Sequence, residues 1–242
     1  MSRPAQRGGA IGDTASCRRA PPAPLVPSHP LTGSRRMPRP SPASGLFSAF
    51  RRFSLLAVLA LAVAACGQQK ASFRNVDISG AADFGKDFSL TDHTGKVRHI
   101  ADFKGKAVVM FFGYTHCPDV CPTTMAELKA VMEKMGPDAD RVQVLFVTVD
   151  PERDTQALLA QYVPAFDPRF LGLRPADEAA LQKVTKDFKV FYAKVPGSSP
   201  NNYTVDHSAG SYVFDPDGRL RLFIRHGQGP EPIAHDLKQL LS

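Results

Sequence analysis

The chain has 242 residues, of which 43% are hydrophobic and 22% are charged, an ordinary composition for a globular protein. Its formal charge of +7 comes from the N-terminal part, because residues 1–65 hold nine arginines and a single acidic residue. Residues 66–242 hold 21 basic and 22 acidic residues. This balance leaves no electrostatic basis for binding nucleic acid, and we predict no nucleic-acid partner.

The N-terminal part is predicted to direct the chain to a membrane rather than to fold. Residues 1–52 are rich in proline and arginine, without apolar periodicity, and are predicted to be disordered and to end in the basic region of a signal peptide. Residues 53–66 comprise an apolar run, too short to span a membrane comfortably, and the sequence Val63-Ala64-Ala65-Cys66. This pattern is typical of bacterial lipoprotein signals, in which the cysteine is lipidated.

We therefore predict a lipid anchor at Cys66 that holds the protein to a membrane on the periplasmic side of a bacterial cell envelope. The alternatives are ordinary signal cleavage nearby and a retained apolar anchor. Residues 67–83 are predicted to be a tether, and residues 84–242 to be a single folded domain.

The folded domain begins with a predicted hairpin, in which Phe88–Leu90 and Val97–Ile100 flank a turn that contains Gly95. A continuous apolar run predicts a strand buried on both faces at Ala107–Phe112, and the mostly apolar run Val142–Val149 predicts a second buried strand. Helical spacing and capping residues predict four helices: Thr123–Met135, one capped by Asp154, one capped by Asp177, and Glu231–Leu241.

The remaining predicted elements are a short strand at Val190–Tyr192, a polar loop at Pro196–Asn202, and a hairpin of Ser211–Phe214 and Leu220–Ile224. The sequence Asp215-Pro216-Asp217-Gly218 is a strong signal for the turn of that hairpin. A parallel strand–helix–strand unit followed by an antiparallel hairpin predicts an α/β fold, a thioredoxin-like domain with a central mixed sheet and an N-terminal hairpin.

The chemistry of the domain centres on Cys117 and Cys121, which lie between the first buried strand and the helix that follows it. The spacing allows both sulfur atoms to approach one ion, and it also allows a disulfide. A structural disulfide therefore remains a full alternative from the spacing alone. Zinc is disfavoured, because no second Cys or His pair completes a tetrahedron, whereas two soft thiolates and an imidazole suit copper as Cu(I) or Cu(II).

His207 is the candidate for the imidazole. In a thioredoxin-like domain the loop before the strand at Ser211 faces the end of the helix that carries the cysteines. Thioredoxins have a proline in that loop, whereas here Asp206-His207 occupies the region. The alternative is a loop histidine paired with an aspartate, without metal. His116 adjoins Cys117, but neighbouring side chains point apart, so we do not interpret it as a ligand.

Three ordered blocks of sequence resemble the Sco (SenC) copper-chaperone family, whose members assist assembly of the binuclear copper centre of cytochrome c oxidase. The blocks are Phe112–Thr123, Thr148–Thr155 and Val205–Ser208. The resemblance implies Cys117, Cys121 and His207 as copper ligands, with Asp206 as a supporting group beside them. It also implies that the partner is the copper-bearing subunit of cytochrome c oxidase or another copper chaperone.

Two other functions use the same residues. A thiol–disulfide oxidoreductase would cycle Cys117 and Cys121 to keep the acceptor's cysteines reduced. The longer spacing, the absence of tryptophan before Cys117 and the missing proline weaken this interpretation as a general reductase. A copper-responsive sensor would bind the metal without passing it on, and only transfer to an acceptor separates it from a chaperone. We find no peroxidase motif ahead of either cysteine.

Overall fold

A central mixed sheet organises the computed structural model, which describes residues 72–85, 87–199 and 202–242. The predicted signal segments and Cys66 lie outside these ranges. The strands are β1 (Val76–Asp77), β2 (Leu90–Asp92), β3 (Val97–Arg98), β4 (Ala107–Gly113), β5 (Val142–Thr148), β6 (Leu171–Arg174), β7 (Tyr192–Ser199), β8 (Asn202–His207), β9 (Ser211–Phe214) and β10 (Leu220–Ile224). The helices are α1 (Val120–Met135), α2 (Gln156–Tyr162), α3 (Glu178–Asp187) and α4 (Pro230–Leu241), with 3₁₀ turns at Ile100–Phe103 and Gly136–Arg141.

The sheet has the order β1-β10-β9-β4-β5-β6-β2-β3. Strands β4, β5 and β6 are parallel, while β9, β10 and β1 on one side, and β2 and β3 on the other, are antiparallel to their neighbours. Every residue of β4 and β5 is buried, which explains why β4 is apolar throughout and β5 is apolar except at Gln143 and Thr148. The predicted α/β class, mixed sheet and N-terminal hairpin β2–β3 are confirmed.

Helices α1 and α4 pack against each other and against the sheet. The apolar positions that predicted α1 are all buried: Met125, Leu128, Val131, Met132 and Met135. Those of α4 are buried too: Ile233, Leu237, Leu240 and Leu241. Each such side chain contributes roughly 1.5–3 kcal/mol by leaving water, so the methionines of α1 are accounted for by core packing.

The structure corrects two helix starts. Helix α1 begins at Val120 rather than Thr123, so Cys121 lies inside it while Cys117 lies in the preceding turn. The cap predicted at Asp154 is wrong, because the Thr155 side chain accepts the hydrogen bond from the Leu158 amide. The cap predicted at Asp177 is confirmed by its hydrogen bond from the Ala180 amide.

The segment before β9 differs most from prediction. The strand expected at Val190–Tyr192 is displaced, because β7 begins only at Tyr192. The loop expected at Pro196–Asn202 is wrong over residues 196–199, which belong to β7, and at Asn202, which begins β8. Residues 200 and 201 lie outside the described ranges. Strands β7 and β8 form a two-stranded sheet separate from the central one. We call this unit the β7–β8 hairpin. At the other end of the domain, β1 pairs with β10, so packed structure also begins within the segment interpreted as a tether.

Candidate metal centre

The turn between β4 and α1 positions Cys117. The Cys117 amide donates to the Tyr114 carbonyl at 3.3 Å, and the Cys117 Sγ accepts a hydrogen bond from the Cys121 amide at 3.4 Å. That amide belongs to the first turn of α1, where backbone donors lack partners within the helix, and the Asp119 side chain at the helix start makes no capping bond. The Cys117 sulfur therefore takes the place of a capping side chain at the start of α1.

Cys121 points from the first turn of α1 into the core and has no exposed surface. Space for its sulfur exists because β4 ends in a glycine: a Cβ on Gly113 would lie 2.9 Å from the Cys121 Sγ. Burial raises the pKa of the Cys121 thiol, because the charged thiolate is disfavoured away from water. Without a metal, this thiol is held in the neutral form.

His207 ends β8 and brings its ring over the cysteines. Its Nε2 lies 3.3 Å from the Cys121 Sγ, and its Nδ1 lies 3.0 Å from the Ser208 carbonyl oxygen. A proton on Nδ1 satisfies that carbonyl and leaves the Nε2 lone pair directed at the sulfurs, the arrangement that orients metal-binding histidines. The rings of Phe111 and Tyr114 pack edge-on against the imidazole. Burial lowers the pKa of His207, which favours the neutral, ligating ring.

The Cys117, Cys121 and His207 donor atoms all lie within 4.8 Å of one another, and they line or adjoin an open cleft of about 350 Å³. Two sulfurs and one imidazole nitrogen at these separations can surround a single soft ion with only small shifts. Both cysteines are free thiols. The structure thus brings together the three residues singled out from the sequence, and its donor set fits copper.

Other candidates lie outside this group. Asp206 lies on β8 next to His207, but its side chain is exposed and is not among the converging donors. His116 is exposed, with its Nδ1 3.0 Å from the Thr115 hydroxyl oxygen, and it does not join the group either. Cys66 falls outside the described residues.

Sequence reasoning proposed that Asp150 fixes the loop after β5 through Arg153, a contact that the structure shows, but it missed the role of Asp154 in the same loop. The buried Asp154 carboxylate accepts hydrogen bonds from the Thr115 amide and hydroxyl, at 3.0 Å and 2.5 Å, and from the Thr148 hydroxyl at 2.6 Å. It therefore fixes the turn that leads to Cys117. Burial raises the pKa of Asp154. The sequence signal was the block Thr148–Thr155, which the resemblance includes but which spacing alone does not connect to the cysteines.

None of the helices in the described ranges is long and apolar enough to cross a membrane.

The sequence and the fold are both similar to those of known proteins. The SCO1/SenC family model matches residues 76–242. The Bos taurus protein named "Protein SCO2 homolog, mitochondrial" is 42% identical over 155 residues, which cover 63% of this chain and 58% of that protein. A SCO2-like protein of Rickettsia felis is 36% identical over 155 residues, covering 64% of this chain and 75% of that protein.

Among solved structures, copper-bound ScoI of Bradyrhizobium japonicum is 45% identical, with a TM-score of 0.60, and the match covers 65% of this chain and 99% of that one. Copper-bound yeast Sco1 is 28% identical, with a TM-score of 0.57, covering 63% of this chain and 84% of that one. The matches span 58% and 60% of the cattle and mouse mitochondrial relatives, so about two fifths of those proteins have no counterpart in the alignment. The family match over residues 76–242 covers well over half of the chain, which therefore belongs to the SCO1/SenC family.

Proposed function

We propose that this protein is a copper chaperone, which binds copper through Cys117, Cys121 and His207 and delivers it to the binuclear copper site of cytochrome c oxidase. The observation that carries the proposal is the convergence of two thiols and one imidazole within 4.8 Å, with Cys117 and His207 lining an open cleft. The copper-bound relatives support copper as the cargo.

The geometry suits transfer as well as binding. Cys117 is partly exposed at the cleft, whereas Cys121 is fully buried. An incoming acceptor thiolate can reach the ion beside Cys117 and form a new sulfur–copper bond as the Cys117–copper bond breaks. Cys121 and His207 are then released in turn, and the thiols regain protons from water. Because reprotonation of Cys121 is favoured by its burial, ligand release from this residue is assisted once the metal begins to leave.

We propose the copper-bearing subunit of cytochrome c oxidase, or another copper chaperone, as the partner, with no role for nucleic acid.

The proposed location is the periplasmic side of a bacterial envelope, with a lipid on Cys66 as the anchor. This rests on the sequence Val63–Cys66. The mitochondrial relatives point to a different compartment. Mass spectrometry of the mature N-terminus tests the anchor: a lipidated N-terminal Cys66 supports it, and an unmodified start elsewhere contradicts it.

Thiol–disulfide exchange is the second candidate, since the Cys121 amide contacts the Cys117 sulfur and so places the two cysteines close together. However, burial raises the pKa of Cys121, so this thiol is a poor nucleophile on its own, and only Cys117 is accessible to a partner's disulfide. The arrangement favours metal binding as the main activity, because a histidine at 3.3 Å from Cys121 serves a metal directly.

The test is copper binding by the reduced chain and by His207→Ala. We expect one copper per parent chain, with a sulfur-to-Cu(II) charge-transfer band. The variant should lose affinity by about 100-fold or more, because second-sphere changes alone already reduce metal affinity 10- to 100-fold. An absence of stoichiometric copper, together with a readily cycling Cys117–Cys121 disulfide, would instead establish the oxidoreductase.

A further inference from the structure

The β7–β8 hairpin carries His207 but is not part of the central sheet. An isolated two-stranded hairpin is only marginally stable in water, so the position of His207 depends on what holds the hairpin against the rest of the domain. Two of its side-chain contacts are exposed and contribute little: Lys194 with Glu152 at 2.6 Å, and the Tyr192 hydroxyl with Glu178 at 2.8 Å.

Arg153 makes a different kind of contact with the hairpin. Its Nη1 donates to the Tyr203 backbone carbonyl at 2.9 Å, and its guanidinium carbon lies 3.5 Å from the centre of the Tyr203 ring. The side chain is mostly buried, with 18% of its surface exposed. A planar guanidinium both stacks on an aromatic ring and directs its donors, which a lysine ammonium cannot do.

Asp150 completes this arrangement. Its Oδ2 accepts from the Arg153 Nε at 2.5 Å, and its Oδ1 accepts from the Tyr203 hydroxyl at 2.8 Å. Its side chain has no exposed surface. We call Asp150, Arg153 and Tyr203 the hairpin clamp. The clamp joins the loop after β5 to β8 four residues before His207, through one backbone bond, one ring stack and one buried carboxylate.

The loop after β5 also contacts the turn that leads to Cys117. Asp154, the residue after Arg153, holds the turn before Cys117 through Thr115. In addition, the Arg153 guanidinium lies 5.7 Å from the Tyr114 ring, which packs edge-on against His207. One short loop therefore contacts both the segment that carries the cysteines and the hairpin that carries the histidine.

We propose that the hairpin clamp positions His207 over the cysteines, with Arg153 as its central positioning residue. The inference deepens the proposed function and rests on it for its copper readout only. Without the clamp, the hairpin moves relative to β4 and α1, and the cysteines keep the metal without a fixed third ligand. Arg153 itself touches neither donor sulfur nor the imidazole nitrogen and acts through Tyr203 and β8.

The test is Arg153→Lys in the full chain, which retains a positive charge beside Asp150 but loses the fork and the planar stack. The first readout is hydrogen exchange of backbone amides in the metal-free protein. We expect the paired amides of β7 and β8 to exchange at least about tenfold faster, because the substitution removes one charge-assisted hydrogen bond. The exchange rates of the β4 and β5 amides should not change. The second readout is copper affinity, which should fall about tenfold, with the charge-transfer band displaced toward that of His207→Ala.

Arg98→Lys is the matched control, because Arg98 also donates its Nε to a buried aspartate but lies away from the β7–β8 hairpin. Its Nε donates to the buried Asp92 at 2.7 Å, and its guanidinium lies 5.9 Å from the centre of the Phe103 ring. We expect it to leave both hairpin exchange and copper binding at parent values.

The outcomes separate the inference from the proposed function. Unchanged hairpin exchange in Arg153→Lys overturns the clamp, as does an equal loss of copper in the two lysine variants, which would reflect general stability. If the parent chain binds no copper, the proposed function fails, while the exchange experiment still decides whether Arg153 positions the hairpin.

Discussion

The two cysteines sit four residues apart but have opposite surroundings. Cys117 is partly exposed and accepts an amide hydrogen bond at the start of α1, whereas Cys121 is enclosed by β4 and the core. Burial raises the pKa of the Cys121 thiol and favours its neutral form. Under the proposed function, the accessible Cys117 would be the ligand at which exchange starts, and the buried Cys121 the ligand that retains the metal.

Gly113 is the residue that makes room for the buried ligand. A Cβ at this position would lie 2.9 Å from the Cys121 sulfur and from the Phe111 ring, and 3.0 Å from the Phe146 ring. We predict that Gly113→Ala lowers the free energy of unfolding by about 1–3 kcal/mol through overpacking. It should also weaken copper binding, because the Cys121 sulfur must shift.

The measurements for this variant are urea unfolding and copper titration, with Gly172→Ala as the control. Gly172 lies on β6, and its nearest contacts are Val163 and Leu159 at 3.1 Å and 3.2 Å, so that substitution crowds the core without touching a ligand. Equal copper affinity in Gly113→Ala and the parent chain would contradict the role assigned to Gly113.

At the scale of elements, the loop between β5 and α2 places two neighbouring residues in separate roles. Asp154 holds the turn before Cys117, while Thr155 caps α2. We predict that Asp154→Asn lowers copper affinity about tenfold and the free energy of unfolding by about 1–3 kcal/mol, because an amide cannot accept all three hydrogen bonds. Thr155→Ala should cost about 1 kcal/mol of stability, the usual loss of a helix cap, and leave copper binding intact.

Thermal unfolding and copper titration of these two variants, side by side, check the assignment. If Thr155→Ala weakens copper binding as much as Asp154→Asn does, the loop acts as a whole and the specific role of the Asp154 carboxylate is refuted. The two residues are adjacent in the chain, and the side chain of each accepts a hydrogen bond from a backbone amide. The two substitutions therefore remove the same kind of contact from the same loop.

Strands and helices were predictable from the sequence where the pattern of apolar residues matches the pattern of buried positions. Strands β4 and β5 are buried on both faces, and α1 buries one regular stripe, so apolar runs and helical spacing located them. The β7–β8 hairpin was not predictable in this way. Most of β7 is exposed, and it contains Pro196, Gly197 and Ser198, residues that usually indicate a loop. Its strand conformation comes from pairing with β8 and from the clamp, which no local pattern encodes.

The residues of the metal centre also differ in whether the sequence could predict them. Cys117 and Cys121 stand in one short motif, and His207 was reached through the topology expected of the fold. The pairing of Asp150 with Arg153 was expected, but the contacts of Asp154 and Tyr203 were missed, because their partners are distant in sequence. Asp154 bonds to Thr115 and Tyr203 bonds to Asp150, 39 and 53 residues apart. Such contacts form only in the folded structure, and the spacing of residues along the chain does not predict them.

At the scale of the whole domain, a single buried carboxylate joins the two ends of the described chain. Asp236 on α4 accepts hydrogen bonds from the amides of Arg74 and Asn75, at 2.9 Å and 2.7 Å, and from the Asn75 side chain at 2.8 Å. Strand β1 follows and pairs with β10. The segment ahead of residue 84 is therefore tied to the C-terminal helix, and any membrane tether has to end before residue 74.

This link has a defined pH dependence. Burial by itself would raise the pKa of Asp236, but the hydrogen bonds from His235, Arg74 and Asn75 outweigh it, so the pKa lies below its ordinary value. A carboxyl group with a lowered pKa in the folded state stabilises the fold above the pKa of about 3.9 that it has when unfolded, and this contribution is lost as the pH falls further. We predict that Asp236→Asn lowers the free energy of unfolding by about 1–3 kcal/mol at pH 7, and that its difference from the parent narrows below about pH 4.

Urea unfolding from pH 7 to pH 3 measures this difference, with Asp217→Asn as the control. Asp217 is exposed and pairs only with Arg219 on the surface, so its substitution should cost well under about 1 kcal/mol at any pH. A difference between Asp236→Asn and the parent that stays constant down to pH 3 would show that the amide disrupts packing rather than removing a charge. The narrowing itself is expected because protonated Asp236, like asparagine, can no longer accept the full set of hydrogen bonds that ties residues 74 and 75 to α4.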